Sequence, residues 1–214
     1  MRLSFSTLRL LSQCAYAHEL KRRGVPESPS EALQVGKEFH AAVAATLRGE
    51  DFVFTLPEAE EYYSVIEPFL YTLAPLPAHQ VEVRLEFEVE GYPWVGFVDA
   101  VAGGYVYEFK TAKRMPSKLD FPVHLQASIY ASRLGLAGAK VVYVTKKAYK
   151  IFDVPPLPDV ERFLQLITQR FSPHQTALPT GLFHPWACTS CGFSHACEFY
   201  AYVRATGALA EDEF

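Results

Sequence analysis

The stretch Gly96 to Lys113, GFVDAVAGGYVYEFKTAK, constrains the fold more than any other part of this chain. It alternates as a half-buried strand does, turns at Gly103-Gly104, and alternates again. A two-residue Gly-Gly loop marks a β-hairpin, because primed turns need positive φ, which only glycine supplies freely. With that loop, Ala102 faces Tyr105, Val101 faces Val106 and Ala100 faces Tyr107. Asp99 then faces Glu108, with about 5 Å between directly opposed Cβ atoms, where like charges repel. Lys110, two residues further on, projects from the same face as Glu108. Two acids and a lysine among Phe, Val and Tyr make a poor core and a good cation site. Hard divalent ions take carboxylate oxygens, and a nearby lysine can hold a phosphate or polarise a water. On a solvated hairpin the same residues would be an ordinary surface Glu-Lys pair.

Around this hairpin the sequence alternates between helical and strand-like patterns. Ser6 reads as the N-cap of a helix from about Thr7 to Arg23, closed by Gly24 and Pro26. A second helix opens at Ser30 and closes at Gly49, with an inner stripe of Leu33, Gly36, His40, Val43 or Ala44, and Leu47. A third, about Pro57 to Leu73, is expected to break or kink at Pro68. Two alternating strands with a turn near Gly91 precede the hairpin. After it come a helix ending at Gly135, a strand pair in AKVVYVTKKAYKIFDV, and a helix from about Asp159 to Phe171. The tail from Ser172 to Pro185 reads as irregular. Helix, antiparallel strands, helix, strand is a mixed α+β (α/β) order.

The 214 residues are half hydrophobic, which suits one globular domain with a substantial core. A net charge of −4 argues against a protein that coats nucleic acid by bulk charge, but not against local basic patches. Three exist: Lys21 to Arg23, Lys110 to Lys118 with Lys113 and Arg114 between, and Lys146-Lys147 with Lys150. Each reads first as a solvated face and second as a binding strip. No run is long and apolar enough to span a bilayer. The opening MRLSFSTLRLLSQCAYA faintly resembles a leader, but Arg9, Ser12 and Gln13 interrupt its apolar stretch. A soluble cytoplasmic protein without a membrane partner is the expectation.

The cysteines form one pattern. Cys14 stands alone, and Cys188, Cys191 and Cys197 follow in CTSCGFSHAC, so the trio needs one more thiolate and the chain offers a single candidate. Four thiolates suit either a structural zinc or an iron–sulfur cluster. Disulfides are the alternative, though a chain without a secretory signal favours metal. His184 and His195 flank the trio and could substitute for a ligand, but read first as bystanders.

Taken in order, these motifs resemble the PD-(D/E)xK nuclease superfamily, in its RecB-like branch with an iron–sulfur cluster. That branch includes the CRISPR-associated nucleases of spacer acquisition, the nuclease domain of AddB-type recombination subunits, and phage relatives. The motifs are SFSTLRLLSQC, GKEFH with His40, GFVD with Asp99, EFK with Glu108 and Lys110, QASIY with Gln126 and Tyr130, and CTSCGFSHAC. They cover nearly the whole chain, and only their order makes them specific. The resemblance implies a restriction-endonuclease-like core, a central mixed sheet flanked by helices. Residues 1–214 would be one nuclease domain, with a core of about 31–171 and cluster-binding segments at 1–30 and 172–214. Asp99, Glu108, His40 and the Phe109 carbonyl would hold Mg²⁺ or Mn²⁺. Lys110 would position or activate the attacking water, and Gln126 and Tyr130 would orient DNA or the lysine. Cys14, Cys188, Cys191 and Cys197 would hold a [4Fe–4S] cluster joining the N- and C-terminal segments. The implied activity is a metal-dependent deoxyribonuclease, an exonuclease on single-stranded DNA or duplex ends, with Lys113, Arg114, Lys146 and Lys147 tracking the backbone. Its partners would be proteins of CRISPR adaptation, recombination or replication. The competing readings are a catalytically silent DNA-binding subunit and a zinc-stapled interaction domain. One departure is visible: Ala15 follows Cys14 where the family often has Pro.

Overall fold

A computed structural model describes residues 2–76, 79–170, 188 and 191–205, and only the backbone at 170, 202 and 203. The chain divides into two compact units, one of Met1–Arg2 and Ala32–Arg170, the other of Leu3–Glu31 and Phe171–Phe214.

The second unit carries the helices α1 (Phe5–Gln13) and α2 (Ala15–Arg22), where one helix was expected. The break is Cys14, whose backbone is extended and whose sulfur accepts the amide of Ala17 at 3.4 Å, capping α2. A side chain that satisfies an orphan amide of the next helix sets a boundary as an N-cap does. Ser4, not Ser6, caps α1 by accepting the Thr7 amide. Further along the chain the unit has a 3₁₀ turn at Ser194–Ala196 and a short helix at Glu198–Ala205. Ala17, Leu20 and Phe193 form its small core, with Cys14, Cys191 and Cys197 packed against it. The segment 172–185, including His184, lies outside the described residues.

In the first unit, α3 (Glu31–Arg48) ends at Gly49, whose φ of +74° lets the Glu50 amide reach back to the Ala45 carbonyl. Its buried stripe is Val35, Phe39, Val43 and Leu47, while Leu33, expected inside, is exposed. Apolar residues run almost all round this helix, so several stripes fit the period, and the large Phe39 ring decides between them. The following helix, α4 (Pro57–Leu73), runs through Pro68 without ending, held by the buried Tyr62, Ile66, Leu70 and Leu73. Glu38 fixes its entry by accepting the amides of Thr55 and Leu56 and the Thr55 hydroxyl.

Five strands form one mixed sheet in sequence order: β1 (Gln80–Val89), β2 (Tyr92–Ala102), β3 (Tyr105–Thr111), β4 (Gly138–Val144) and β5 (Tyr149–Val154). Gly103 and Gly104 both have positive φ and close the β2–β3 hairpin in the expected register, with Ala102 opposite Tyr105 and Ala100 opposite Tyr107. Strands β3 and β4 are parallel, and α5 (Phe121–Arg133) supplies the crossover that such a pair requires. The strand β3 sorts its side chains by alternation. Tyr107 and Phe109 join the core of α3 and α4, and Glu108 faces Gln126 of α5. A last helix, α6 (Val160–Arg170), completes the unit. The result is a mixed α+β fold, as expected. Among the described residues no helix is long and apolar enough to cross a membrane.

Candidate active site

Asp99 lies where the sheet comes apart. The β2–β3 ladder runs to Ala100–Tyr107 and stops, so Asp99 and Glu108 are not a ladder pair as the sequence register implied. On the other side, Val81 pairs with Ala100 and Val83 with Val98, leaving out Asp99 and its opposite number Glu82, whose φ is +52°. In a continued antiparallel ladder the Phe109 amide would bond to the main chain of β2. Here it donates to Asp99 Oδ2 at 2.8 Å instead. The side chain has replaced the ladder bond, and the strands fork. Gly96 before the fork lies against Tyr130 of α5, whereas Ala100 and Ala102 beyond it pack with α3 and α4. Residues of one parity thus meet opposite layers on the two sides of Asp99.

Into this fork α3 sends His40, whose Nδ1 is 3.2 Å from Asp99 Oδ1. Burial disfavours the imidazolium, but the charge and hydrogen bond of Asp99, with the charge of Glu108, together outweigh it and hold the His40 pKa above its ordinary value. Glu108 is 3% exposed, and Lys110 Nζ donates to its Oε1 at 2.6 Å. The Nε2 of Gln126 donates to the same oxygen at 3.2 Å and to the Tyr130 hydroxyl at 3.4 Å. That hydroxyl also accepts the Phe97 backbone amide. Burial and the charge of Asp99 push the Glu108 carboxyl up to about 7, against the pull of Lys110. Lys110 is held charged, because Glu108 and Asp99 outweigh its own burial. Tyr130, buried and near Glu108, is held neutral.

The expected set Asp99, Glu108, His40, Lys110, Gln126 and Tyr130 is therefore contiguous. Glu108 Oε2 is buried and has no hydrogen-bond partner among the described residues, which leaves an acceptor that a cation or a water can satisfy. The donor chemistry, two carboxylates and an imidazole, fits a hard divalent ion. Among the described residues, however, no group of three His, Cys, Asp or Glu converges as metal ligands do. His40 is turned onto Asp99 and Lys110 onto Glu108, so each acid is neutralised by a neighbouring side chain.

The basic residues distribute unevenly. Because β3 and β4 are parallel, Thr111 and Val144 mark the same end of the sheet, and Lys113, Arg114, Lys146 and Lys147 all follow there, exposed. Lys146 is bound to Glu58 at 3.0 Å and Glu61 at 3.2 Å on α4. Tyr130 is 3% exposed, so its ring offers no surface on which a base could stack. The exposed ring nearest Asp99 in the chain is Phe97, 61% exposed and opposite Arg84 of β1. Sequence reading missed it. In PWVGFVDA both faces carry apolar residues, so alternation does not say which faces water.

In the second unit the four cysteines form no disulfide. Burial raises the thiol pKa of Cys188, and the thiols of Cys197, Cys191 and Cys14 add to it. Cys191 is likewise raised, first by burial and then by Cys14, Cys197 and Glu27, while the Phe193 amide opposes. Among the described residues, though, no three of these thiols converge as metal ligands do. Their donor set fits a thiophilic metal or cluster. His195 bonds Ser28 through Nδ1 at 3.1 Å.

A family model described as the PD-(D/E)XK nuclease superfamily matches residues 2–198. Two solved structures share the fold. The structure of SSO0001 is 18% identical, with 92% of this chain and 86% of that chain covered and a TM-score of 0.53. A protein of Eubacterium rectale, provisionally named an exonuclease, is 14% identical, with 86% of each chain covered and a TM-score of 0.57. No curated protein matches the chain.

Proposed function

The chain belongs to the PD-(D/E)XK nuclease superfamily, and from that premise we propose that it is a divalent-metal-dependent deoxyribonuclease acting on single-stranded or end-containing DNA. The observation that carries the reading is the fork at Asp99. A nonpolar sheet gives up a ladder bond there to place two carboxylates, an imidazole and a lysine side by side, with one Glu108 oxygen left unpartnered.

Asp99, Glu108, His40 and the Phe109 carbonyl would hold Mg²⁺ or Mn²⁺. Such an ion, when bound, acidifies a water to the point of attack and neutralises charge on the scissile phosphate. The protein's own groups do the rest. Lys110, charged and hydrogen-bonded to Glu108 inside the site, would serve to hold the phosphate or orient the attacking water. Gln126 fixes Glu108 Oε1, and Tyr130 fixes Gln126. The exposed ring of Phe97 offers a stacking surface for an unpaired base, and Lys113, Arg114 and Lys147 offer contacts to the backbone. Cys14, Cys188, Cys191 and Cys197 would hold a [4Fe–4S] cluster that ties the two ends of the chain together. The partners that such an enzyme would serve are those of CRISPR adaptation, recombination or replication.

The test is cleavage of end-labelled single-stranded and duplex DNA by anaerobically purified protein with Mn²⁺ or Mg²⁺. Activity abolished by chelator, by Asp99→Ala and by Lys110→Ala supports the reading. DNA binding without turnover at any divalent ion would make the chain a silent binding subunit. Stoichiometric zinc without an exchangeable second ion would make it a stapled interaction domain.

A further inference from the structure

We infer that Gly96 is a positioning residue, whose missing side chain lets the Tyr130 ring lie across β2 and hold Gln126 against Glu108. Its effect on cleavage rests on the nuclease reading, whereas the contact rests on geometry alone. A Cβ at position 96 would meet Tyr130 Cε1 at 2.4 Å, and Cζ and the hydroxyl oxygen at 2.8 Å. Non-bonded carbons pack at about 3.5–4.0 Å, so one of them must move. Gly96 is not among the residues with positive φ, so the backbone does not call for glycine there. Glycine inside a strand weakens it, and a close approach is one of the few reasons that call for it there.

The ring cannot retreat freely. Tyr130 is almost fully buried, and its hydroxyl is held by the Phe97 amide and by Gln126. Displacing the ring takes the hydroxyl away from Gln126, the residue whose amide fixes Glu108 Oε1. The path from one absent methyl group to a proposed metal ligand is three contacts long. Gly96 also lies three residues before Asp99 on the same strand, so a backbone shift that relieved the clash would be passed to the other acid.

The test is a double-substitution cycle with Gly96→Ala, Tyr130→Ala and the pair, read in two ways. In thermal unfolding of the metal-free protein, Gly96→Ala lowers the midpoint when Tyr130 is present, and leaves it unchanged or raised when Tyr130 is Ala. In cleavage of single-stranded DNA with Mn²⁺, Gly96→Ala loses about 10- to 100-fold, the scale of a small misplacement near the reacting centre. The paired variant then cleaves as Tyr130→Ala alone does. Should Gly96→Ala fail to fold, the pair compared with Tyr130→Ala carries both readings. Additive losses in both measurements, or a Gly96→Ala protein equal to wild type in both, overturn the inference. Coupled unfolding in a wild-type protein that cleaves no DNA supports the contact and refutes the nuclease reading.

Discussion

The Asp99 carboxylate accepts the Phe109 amide at 2.8 Å, so one side chain both ends the β2–β3 ladder and satisfies the amide that the ending exposes. A carboxylate that accepts a backbone N–H is fixed in direction before any ligand arrives. The other carboxylate of the site, Glu108, stands next to Phe109 on β3. Fixing Phe109 against Asp99 therefore also fixes the spacing of the two acids.

Asp99 thus has two roles that substitution can separate. Asp99→Asn keeps an oxygen for the Phe109 amide and removes the charge. Its thermal midpoint should stay close to wild type, while cleavage falls at least about 100-fold, the scale of losing one preorganised group at developing charge. Asp99→Ala should lose the activity and, in addition, about 1–3 kcal/mol of stability from the unsatisfied amide. Denaturant unfolding beside a cleavage assay checks both. Near-normal cleavage by Asp99→Asn would remove Asp99 from the site.

The buried acid sets a pH dependence for the metal-free protein. Burial and Asp99 raise Glu108 from 4.5 to about 7 against the opposing charges of Lys110 and His40. A carboxyl whose folded pKa is raised stabilises the fold fully below its unfolded pKa, and that stability is lost as pH rises through the folded value. The loss is on the order of 3 kcal/mol between about pH 4.5 and 7. His40, also raised, contributes in the same direction: its share is present below 6.5 and lost as pH rises through its folded pKa. Glu19 and Glu38 are depressed, so their contributions fade only at lower pH, as their carboxylates protonate. The metal-free protein should therefore unfold more readily at pH 8 than at pH 5. Glu108→Gln should flatten the profile, and Mn²⁺ should restore stability at pH 8 by replacing the proton. A wild-type profile flat across this range in chelator would contradict the assignment of Glu108 as the strained acid.

Much of this architecture was legible in the chain, and the parts that were not have identifiable causes. Gly103-Gly104 specifies its turn by φ alone, so the hairpin register near the loop followed from sequence. The fork did not, because nothing in an alternating pattern says that a side chain will take over a ladder bond two pairs later. The pattern was also silent on Cys14 as a helix cap, since cysteine is rarely one, and it expected a break or kink at Pro68, which instead lies inside a helix continued by the packing of Ile66 and Leu70. Asp99, Glu108 and Lys110 were read from the hairpin register as a cation site, and His40, Gln126 and Tyr130 were named from motif order. Gly96 and Phe97 were passed over, because a glycine's neighbour and a ring's exposure are properties of the folded layers.

Cys14 offers a controlled test of the proposed cluster. Serine caps helices better than cysteine does, so Cys14→Ser preserves the acceptor for the Ala17 amide and removes only the thiolate. If the four cysteines share one cluster, Cys14→Ser and Cys191→Ser should lose iron, sulfide and visible absorbance equally, and both should lower the unfolding midpoint by several degrees. Elemental analysis of anaerobically prepared protein reads the metal directly. Stoichiometric zinc in colourless protein would replace the iron–sulfur assignment with a zinc staple. Full metal retention in Cys14→Ser would remove Cys14 from the ligand set.

DNA binding should follow the uneven availability of the cations. Lys146 is already shared by Glu58 and Glu61, so part of its charge is spent on α4. Lys147, exposed beside it, makes no such pair among the described residues. Lys147→Ala should therefore weaken binding more than Lys146→Ala, and Lys113→Ala and Arg114→Ala should behave like Lys147→Ala. With about three to five phosphate contacts, each contributing about 0.7–0.9 to the log–log salt slope, the slope should be modest, and each effective substitution should reduce it by roughly one contact. Phe97→Ala should instead weaken single-stranded DNA by about 1–3 kcal/mol without changing the slope, because stacking releases no counterions. Ca²⁺, chosen to occupy the carboxylates without turnover, should tighten every variant except those lacking Asp99 or Glu108, whose charges it neutralises before the phosphate approaches. Fluorescence anisotropy across a salt series, with single-stranded and duplex probes, measures all of these together. Binding indifferent to Ca²⁺, to Lys147 and to Phe97 would place the DNA on another surface and take the fork with it.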